Sequence, residues 1–161
     1  LRYLENMEEE LENPVEYART GNREIDSLLN YKIQKARQVL AVVESDINVP
    51  VELRQKSFDI NVILGNLLDN AVEAAQKSER KWMKLTLKAD RGVLLIHIAN
   101  SCGCPPNRKG RRFFSTKTNR EEHGIGLQNV KRMVERQNGE IEFTYEAQIF
   151  CVDVMLYLNE M

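Results

Sequence analysis

The stretch 60-INVILGNLLDNAVEAAQK-77 carries the helical periodicity around which the rest of the chain is organised. Its apolar residues recur at the spacing of one helix face, so we predict a helix over about 59–77. Asn66 and Asn70 lie one turn apart on the side opposite this apolar arc, together with Glu73. Asn is unfavourable in a helix interior because its amide competes for backbone hydrogen bonds. The stripe is therefore either a solvated face or a row of amides that can bind a hydrated cation or phosphate oxygens.

The segments on the carboxyl-terminal side of this helix predict a sheet. The stretch 83-MKLTLKAD-90 alternates apolar and polar residues, and 90-DRG-92 is a turn signal. The stretch 93-VLLIHIAN-100 then predicts a more buried strand, and two further strands are predicted over 140–146 and 149–158. Helices packed on one face of a largely antiparallel sheet give an α+β fold, a two-layer α/β sandwich.

The amino-terminal part of the chain predicts helices rather than strands. Asn22 is a candidate N-cap for a helix that runs to about Glu44, with apolar residues at spacings near three, four and seven. That apolar stripe packs either on the following domain or on a partner helix in a dimer. The character of the sequence changes at Asp46, so we predict a helical segment over 1–45 and a second domain over 46–161.

A long basic loop and a helix are predicted between the second and third strands. Residues 101–123 lack periodicity and are rich in Lys and Arg. A helix is predicted from about Ile125 to Gln137, and Gly139 closes it. Gly124 and Gly126 lie where the loop becomes this helix, so their backbone N–H groups can approach an anion. Taken alone, the glycines also fit a simple loop-to-helix turn, and the loop also fits a solvated linker.

Composition argues against several classes of function. The chain has 161 residues and a net charge of −1, which gives no electrostatic indication of a nucleic-acid partner. No segment approaches the roughly 20 consecutive apolar residues of a membrane-spanning helix, and no signal peptide is visible. A first residue other than Met suggests a fragment of a longer protein. Three cysteines fit a reducing compartment, and Cys102 with Cys104 would make only a weak zinc site.

The order of these motifs resembles that of a known family. The helix with 65-GNLLDNAVEA-74, a hairpin, a basic loop that ends in 115-STK-117, and 123-HGIGLQNVKRMV-134 follow one another. In this order they resemble the catalytic ATP-binding domain of sensor histidine kinases, within the gyrase, Hsp90, histidine kinase and MutL (GHKL) superfamily. The stretch 21-GNREIDSLLNYK-32 is similar to the second dimerisation helix of quorum-sensing and peptide-sensing kinases. The resemblance implies a Bergerat-type ATP-binding fold preceded by part of a helical dimerisation segment.

The resemblance also implies roles for individual residues. Asn66 and Asn70 would be the catalytic residues: Asn70 would hold a Mg²⁺ that bridges the phosphates of ATP, and Asn66 would contact the water shell of the metal or a phosphate. Members that hydrolyse ATP carry Glu at the position of Asn66, and an amide cannot act as their general base. The γ-phosphoryl group is therefore expected to go to a protein histidine. The implied cofactor-binding residues are Asn66, Asn70, Glu73, Asn100, Lys117, His123, Gly124, Ile125, Gly126 and Leu127.

Two features depart from the family pattern. The central strand ends in 98-IANSCGC-104, where the family has Asp-x-Gly-x-Gly, so Asn100 stands at the position of the adenine-binding Asp. A neutral amide makes a weaker hydrogen bond than a carboxylate, and we expect weaker nucleotide binding. The two histidines, His97 and His123, do not match the phosphoacceptor of the family. The acceptor His is thus expected on a helix upstream of this chain.

The resemblance implies a two-component sensor kinase as the whole protein. Its expected partners are the upstream dimerisation helix with the acceptor His, a response regulator and a second copy in a homodimer, but no nucleic acid. We expect this chain to be cytoplasmic, as part of a membrane-anchored kinase. A non-catalytic nucleotide-binding or docking module is the main alternative, because Asn100 weakens the pocket. An ATP hydrolase is disfavoured by Asn66, and a helical interaction protein would leave 115-STK-117 unexplained.

Overall fold

The computed structural model describes residues 16–49, 57–103, 107–109, 112–114 and 120–158. For residues 57–58, 107–109, 112–114 and 120–125 it describes the backbone, and for the others it also describes the side chains. These ranges contain three helices, which are α1 (Arg23–Val39), α2 (Ser57–Gln76) and α3 (Arg120–Arg136). They also contain the strands β1 (Val42–Asn48), β2 (Trp82–Asp90), β3 (Val93–Ser101), β4 (Asn107–Lys109), β5 (Arg112–Phe114), β6 (Glu140–Glu146) and β7 (Ile149–Tyr157).

The main sheet has five strands in the order β1-β2-β3-β7-β6. Strand β1 pairs with β2 in parallel, and the other neighbours are antiparallel. Helix α2 packs on β2 and β3, with α1 on one flank and α3 on the other, where α3 also contacts β6 and β7. The predicted α+β fold, a two-layer α/β sandwich, is confirmed. No described helix is both long and apolar enough to cross a membrane.

The predicted hairpin of β2 and β3 forms, the two predicted closing strands β6 and β7 pair as a second hairpin, and each hairpin has a two-residue turn. At the turn between β2 and β3, Arg91 and Gly92 have φ angles of 50° and 77°. At the turn between β6 and β7, Ala147 and Gln148 have φ angles of 51° and 61°. Positive φ at both central residues matches the right-handed twist of paired strands. Glycine adopts this conformation freely, whereas Ala147 and Gln148 adopt it at a steric cost.

Helix α1 begins as predicted but ends earlier. The side-chain Oδ1 of Asn22 accepts hydrogen bonds from the backbone N–H groups of Glu24 and Ile25, at 3.0 and 3.1 Å, so Asn22 is the N-cap. The prediction that the helix runs to about Glu44 is wrong, because α1 ends at Val39 and β1 follows. The β-branched residues of this stretch favour a strand, and its backbone pairs with β2, with Val42 opposite Trp82.

The amino-terminal part of the chain belongs to the same fold through both β1 and α1. Strand β1, Val42–Asn48, draws residues from both sides of the predicted boundary between positions 45 and 46 into the sheet. The apolar stripe of α1 is buried within the chain, where α1 packs against α2 and β1. The buried residues of that stripe are Ile25, Leu29, Ile33 and Ala36.

The region predicted as a long loop contains regular structure. Strands β4 and β5 pair with each other, with Asn107 opposite Phe114. Helix α3 begins at Arg120, so the predicted start near Ile125 is wrong. Arg and Glu, which occupy 120–122, are good helix formers. Gly124 and Gly126 consequently lie inside α3 rather than where a loop becomes a helix.

Helix α3 ends in a Schellman motif. The N–H of Asn138 donates to the carbonyl oxygen of Glu135 at 3.0 Å, and the N–H of Gly139 donates to that of Val134 at 2.9 Å. The left-handed residue of the motif is Asn138, with a φ of 56°. Gly139 is required for a different reason, because a Cβ there would lie 2.6 Å from the carbonyl oxygen of Met155 in β7.

Candidate functional site

An open cavity of about 780 Å³ lies where the three helices meet on the helical face of the sheet. We call it the interhelical cavity. A volume of several hundred Å³ is typical of sites for small ligands. Its polar and glycine lining comprises Asn66, Asp69, Asn70 and Glu73 of α2, Gly126 of α3, and Lys32, Lys35 and Gln38 of α1. Four residues that the sequence predicted as a site, Asn66, Asn70, Glu73 and Gly126, are thus brought together.

The asparagine stripe of α2 forms one wall of this cavity. The Nδ2 of Asn66 donates to the carbonyl oxygen of Val62 at 2.9 Å, one turn earlier in the helix. This bond commits an amide hydrogen and directs the Oδ1 of Asn66 away from the helix backbone. Asn70 follows one turn later and is half-buried. The wall therefore offers amide oxygens, which suit hard cations and metal-bound water.

The opposite wall comes from α1 and carries two lysines. The Nζ of Lys32 lies 2.7 Å from the Oδ1 of Asp69 on α2, and the Lys32 side chain is 23% exposed. The Nζ of Lys35 lies 4.8 Å from the ring centroid of Tyr31. A hydrogen bond with Tyr31 and the charge of that residue raise the pKa of Lys35 above its ordinary value. Both lysines border the cavity, beside the acidic residue Asp69.

The third wall is lined by Gly126 of α3. A Cβ added at Gly126 would meet no atom within 4 Å, so the backbone there borders open space. The first four N–H groups of a helix lack internal partners. Because α3 begins at Arg120, the N–H groups of Gly126 and Leu127 lie past these four positions, in the helix interior. Leu127 is 8% exposed and packs in the core.

Asn100 lies away from the interhelical cavity. It is 1% exposed and follows Ile96 and Ile98 on the face of β3 that packs against the helices. Its Nδ2 donates to the carbonyl oxygen of Ser101 at 3.0 Å. The Oγ of Ser101 lies 2.7 Å from the Oγ of Ser78, which joins the end of β3 to the turn after α2. Asn100 is not among the residues that line the cavity in the described part of the chain.

The remaining predicted site residues fall outside what is described in full. Lys117 lies outside the described residues, and Gly124 and Ile125 belong to α3 with their side-chain surroundings outside the description. The same holds for His123. His97 lies on the far face of the sheet, between the buried residues Ile96 and Ile98 in sequence, where its Nδ1 is 2.6 Å from the Oδ1 of Asp153.

Sequence reasoning missed the lysines of α1 as site residues. Lys32 and Lys35 are three positions apart and so occupy neighbouring surface positions on their helix. Nothing in that spacing indicates that α1 packs along α2 beside the asparagine stripe. A contact between two helices that are separated by β1 depends on tertiary packing.

Comparison with known proteins identifies the family. Residues 55–157 match the family model described as the GHKL domain. The sensor histidine kinase DpiB of Escherichia coli is 32% identical over 131 residues, which cover 75% of this chain and 24% of that protein. A probable C4-dicarboxylate sensor kinase of Bacillus subtilis is 29% identical over 148 residues, which cover 86% of this chain and 28% of that protein. The chain thus spans less than a third of the length of these relatives.

Solved structures show the same fold. The catalytic domain of the histidine kinase ThkA superposes with a TM-score of 0.63 at 19% identity, over 86% of this chain and 92% of that one. The Acinetobacter baumannii histidine kinase AdeS superposes with a TM-score of 0.61 at 16% identity, over 99% of this chain and 75% of that one. The finer resemblance to quorum-sensing and peptide-sensing kinases stays a prediction. On the match over residues 55–157, the chain belongs to the GHKL domain family.

Proposed function

We propose that residues 46–161 form the ATP-binding catalytic domain of a two-component sensor histidine kinase, and that residues 1–45 are part of its dimerisation segment. One observation carries the proposal: a cavity of ligand size is bordered by Asn66, Asn70, Glu73 and Gly126. These residues come from two separate motifs, which lie far apart in the sequence. The relatives described as sensor kinases support the same assignment.

The residues of the cavity fit a nucleotide with Mg²⁺. Amide and carboxylate oxygens are suitable ligands for this cation, and Asn70 would hold it, with Asn66 toward its water shell and Glu73 alongside. When bound, Mg²⁺ would neutralise charge on the phosphates during phosphoryl transfer. The resemblance adds Asn100, Lys117, His123, Gly124, Ile125 and Leu127 as proposed contacts. The N–H groups of Gly126 and Leu127 would become available to a phosphate only if the start of α3 unwinds.

The site favours transfer to a protein group over hydrolysis. Asn66 exposes an amide, which cannot remove a proton from an attacking water. The proposed acceptor is a histidine on an upstream dimerisation helix. Within the described residues, His97 is on the far face of the sheet from the interhelical cavity, so it is not a candidate acceptor. We further propose a homodimer, a response regulator as the partner, and a cytoplasmic position in a membrane-anchored protein.

A second candidate is a nucleotide-binding or docking module without catalysis. The burial of Asn100 favours it, because a residue that is 1% exposed and bonded to Ser101 does not present its amide to a ligand in this conformation. Both candidate functions use the same cavity, and they differ in whether the γ-phosphoryl group of ATP is transferred to a protein histidine. Transfer of radiolabelled phosphate to a separately expressed acceptor-helix protein separates them.

Calorimetric titration with ATP, in the presence and in the absence of Mg²⁺, tests the proposal. We expect saturable binding that strengthens with Mg²⁺, and we expect the Asn70→Ala variant to lose most of the Mg²⁺ dependence. Asn129→Ala is a matched control, because Asn129 is an exposed asparagine on α3. Absence of heat at millimolar ATP would refute the nucleotide site. Binding without phosphotransfer would favour the second candidate.

A further inference from the structure

The cavity is shared between the helical segment and the catalytic domain. Helix α1 is fixed in place because Ile25, Leu29 and Ile33 have no more than 1% of their surface exposed. This buried stripe determines which side of α1 is turned toward α2. The side that borders the cavity includes Lys32, Lys35 and Gln38. The lysines therefore take their position from the core and not from a mobile segment.

A salt bridge joins the two helices beside the asparagine stripe. The Nζ of Lys32 and the Oδ1 of Asp69 are 2.7 Å apart, and Asp69 directly precedes Asn70. This part of α1 therefore lies at the level of the asparagine stripe. Lys35 follows Lys32 by about one turn and lies on the same cavity. Its ammonium group packs over the ring of Tyr31, which limits the directions in which this long side chain can point.

A phosphate chain bound in this cavity requires cationic groups nearby. A nucleoside triphosphate carries several negative charges, and Asp69 and Glu73 on the α2 wall are acidic. Lys32 offsets Asp69 in the salt bridge. Among the described lining residues the cations are Lys32 and Lys35, and Lys35 is exposed and forms no salt bridge. An exposed ammonium beside a phosphate site lowers the electrostatic cost of bringing the anion in.

We propose that Lys35 of α1 binds the phosphate chain of the nucleotide, so that the helical segment supplies part of the nucleotide site. Lys32 is a positioning residue, which acts through its salt bridge with Asp69. The inference rests on the proposed ATP site and extends it to a residue outside the matched GHKL range of 55–157. Nucleotide bound to both α1 and α2 stabilises the packing of α1 against α2. By thermodynamic linkage, the factor by which nucleotide strengthens this packing equals the factor by which the packing strengthens nucleotide binding.

The test compares Lys35→Gln with Lys35→Arg by calorimetric titration of the whole chain, with Mg²⁺-ATP and separately with adenosine. We expect Lys35→Gln to weaken ATP binding about threefold to tenfold, in keeping with the loss of one exposed charge contact. Adenosine has no phosphates, so its affinity should not change. Lys35→Arg keeps the charge and should stay within about twofold of wild type.

The control is Lys88→Gln, which removes the same charge from the opposite face of the sheet. Lys88 is 51% exposed, and it alternates along β2 with the buried residues Leu87 and Ala89. We expect no change in ATP affinity for this variant. Because Lys35 and Lys88 are both exposed, thermal unfolding of the two variants should match wild type.

The outcomes separate this inference from the function on which it rests. If wild type binds ATP and Asn70→Ala weakens it, while Lys35→Gln binds as wild type does, the role of Lys35 is refuted and the site stands. An equal loss of ATP and adenosine binding in Lys35→Gln would also refute phosphate contact. If wild type binds no ATP, the proposed function and this inference fail together.

Discussion

Replacing Asn100 with aspartate would introduce the residue that the family pattern has at the end of β3, and we expect Asn100→Asp to destabilise the nucleotide-free protein. Asn100 is 1% exposed, and its Nδ2 donates to the carbonyl oxygen of Ser101 at 3.0 Å. A carboxylate has nearly the same shape but no N–H to donate. Its oxygen would face the carbonyl oxygen of Ser101, so the substitution removes one hydrogen bond and buries a charge.

The expected loss of stability follows from these two changes. A lost hydrogen bond costs about 1 kcal/mol. An uncompensated buried charge costs about 3–5 kcal/mol, although protonation of the carboxyl group can relieve part of this cost. We therefore expect a decrease of about 3 kcal/mol in the free energy of unfolding near neutral pH. For a chain of this length, that decrease lowers Tm by about 6–12 °C.

The pH dependence has a definite sign. Burial disfavours the charged form and raises the pKa of the introduced carboxyl group above its ordinary value of about 3.9. The folded state then binds the proton more tightly than the unfolded state does. The loss in the free energy of unfolding relative to wild type is complete above the raised pKa and decreases as the pH falls through that pKa. Urea unfolding followed by circular dichroism across this pH range measures the effect.

Two further measurements complete the test. Asn129→Asp makes the same substitution at an exposed position of α3, and we expect a change within about 0.5 kcal/mol. If nucleotide binding brings position 100 into contact with adenine, Mg²⁺-ATP should reduce the stability loss of Asn100→Asp, because a carboxylate accepts a charge-assisted hydrogen bond from the adenine amino group. If Asn100→Asp unfolds like wild type near neutral pH, the side chain is solvated, and the burial argument is wrong.

Two predictions concern the backbone. Gly139→Ala would place a Cβ 2.6 Å from the carbonyl oxygen of Met155, and we expect a loss of about 1–3 kcal/mol in urea unfolding. Asn138→Gly is its neighbouring control and should be neutral or stabilising, because Asn138 has a φ of 56°. Equal effects of the two variants would contradict the close approach of Gly139 to Met155. Gln148 has a φ of 61° in the turn between β6 and β7, which is strained for a residue with a side chain. Gln148→Gly should therefore increase the free energy of unfolding by about 0.5–1 kcal/mol. An unchanged or lower Tm in thermal unfolding would contradict this prediction.

Sequence patterns located the parts of the fold whose signals are local. In the β2–β3 hairpin, β2 alternates apolar and polar residues and the turn contains a glycine, so the predicted limits of both strands lie within one residue of the observed ones. The end of α1 was not predicted correctly, because 42-VVESDIN-48 becomes a strand through pairing with β2, which lies far along the chain. The start of α3 was not predicted, because the stretch before Ile125 lacks hydrophobic periodicity, although Arg and Glu at 120–122 are good helix formers.

The candidate site shows the same division. The one-turn spacing of Asn66 and Asn70 guarantees that they share a helix face, and the structure places both on the interhelical cavity. The contribution of Lys32 and Lys35 depends on how α1 packs against α2, which no local pattern encodes. The position of Asn100 also depends on tertiary packing, because the alternation of β3 only fixes the face to which it points.

The outer strands of the sheet have a consequence for how copies of the protein meet. Strand β1 carries Glu44 and Asp46, and strand β6 carries Glu140, Glu142 and Glu146, all exposed and without a Lys or Arg in either strand. Exposed strand edges are templates for joining sheets between molecules. Here, two copies that approach edge to edge bring like charges together, whichever edges meet. Acidic side chains thus protect the two open edges of the sheet from uncontrolled strand addition.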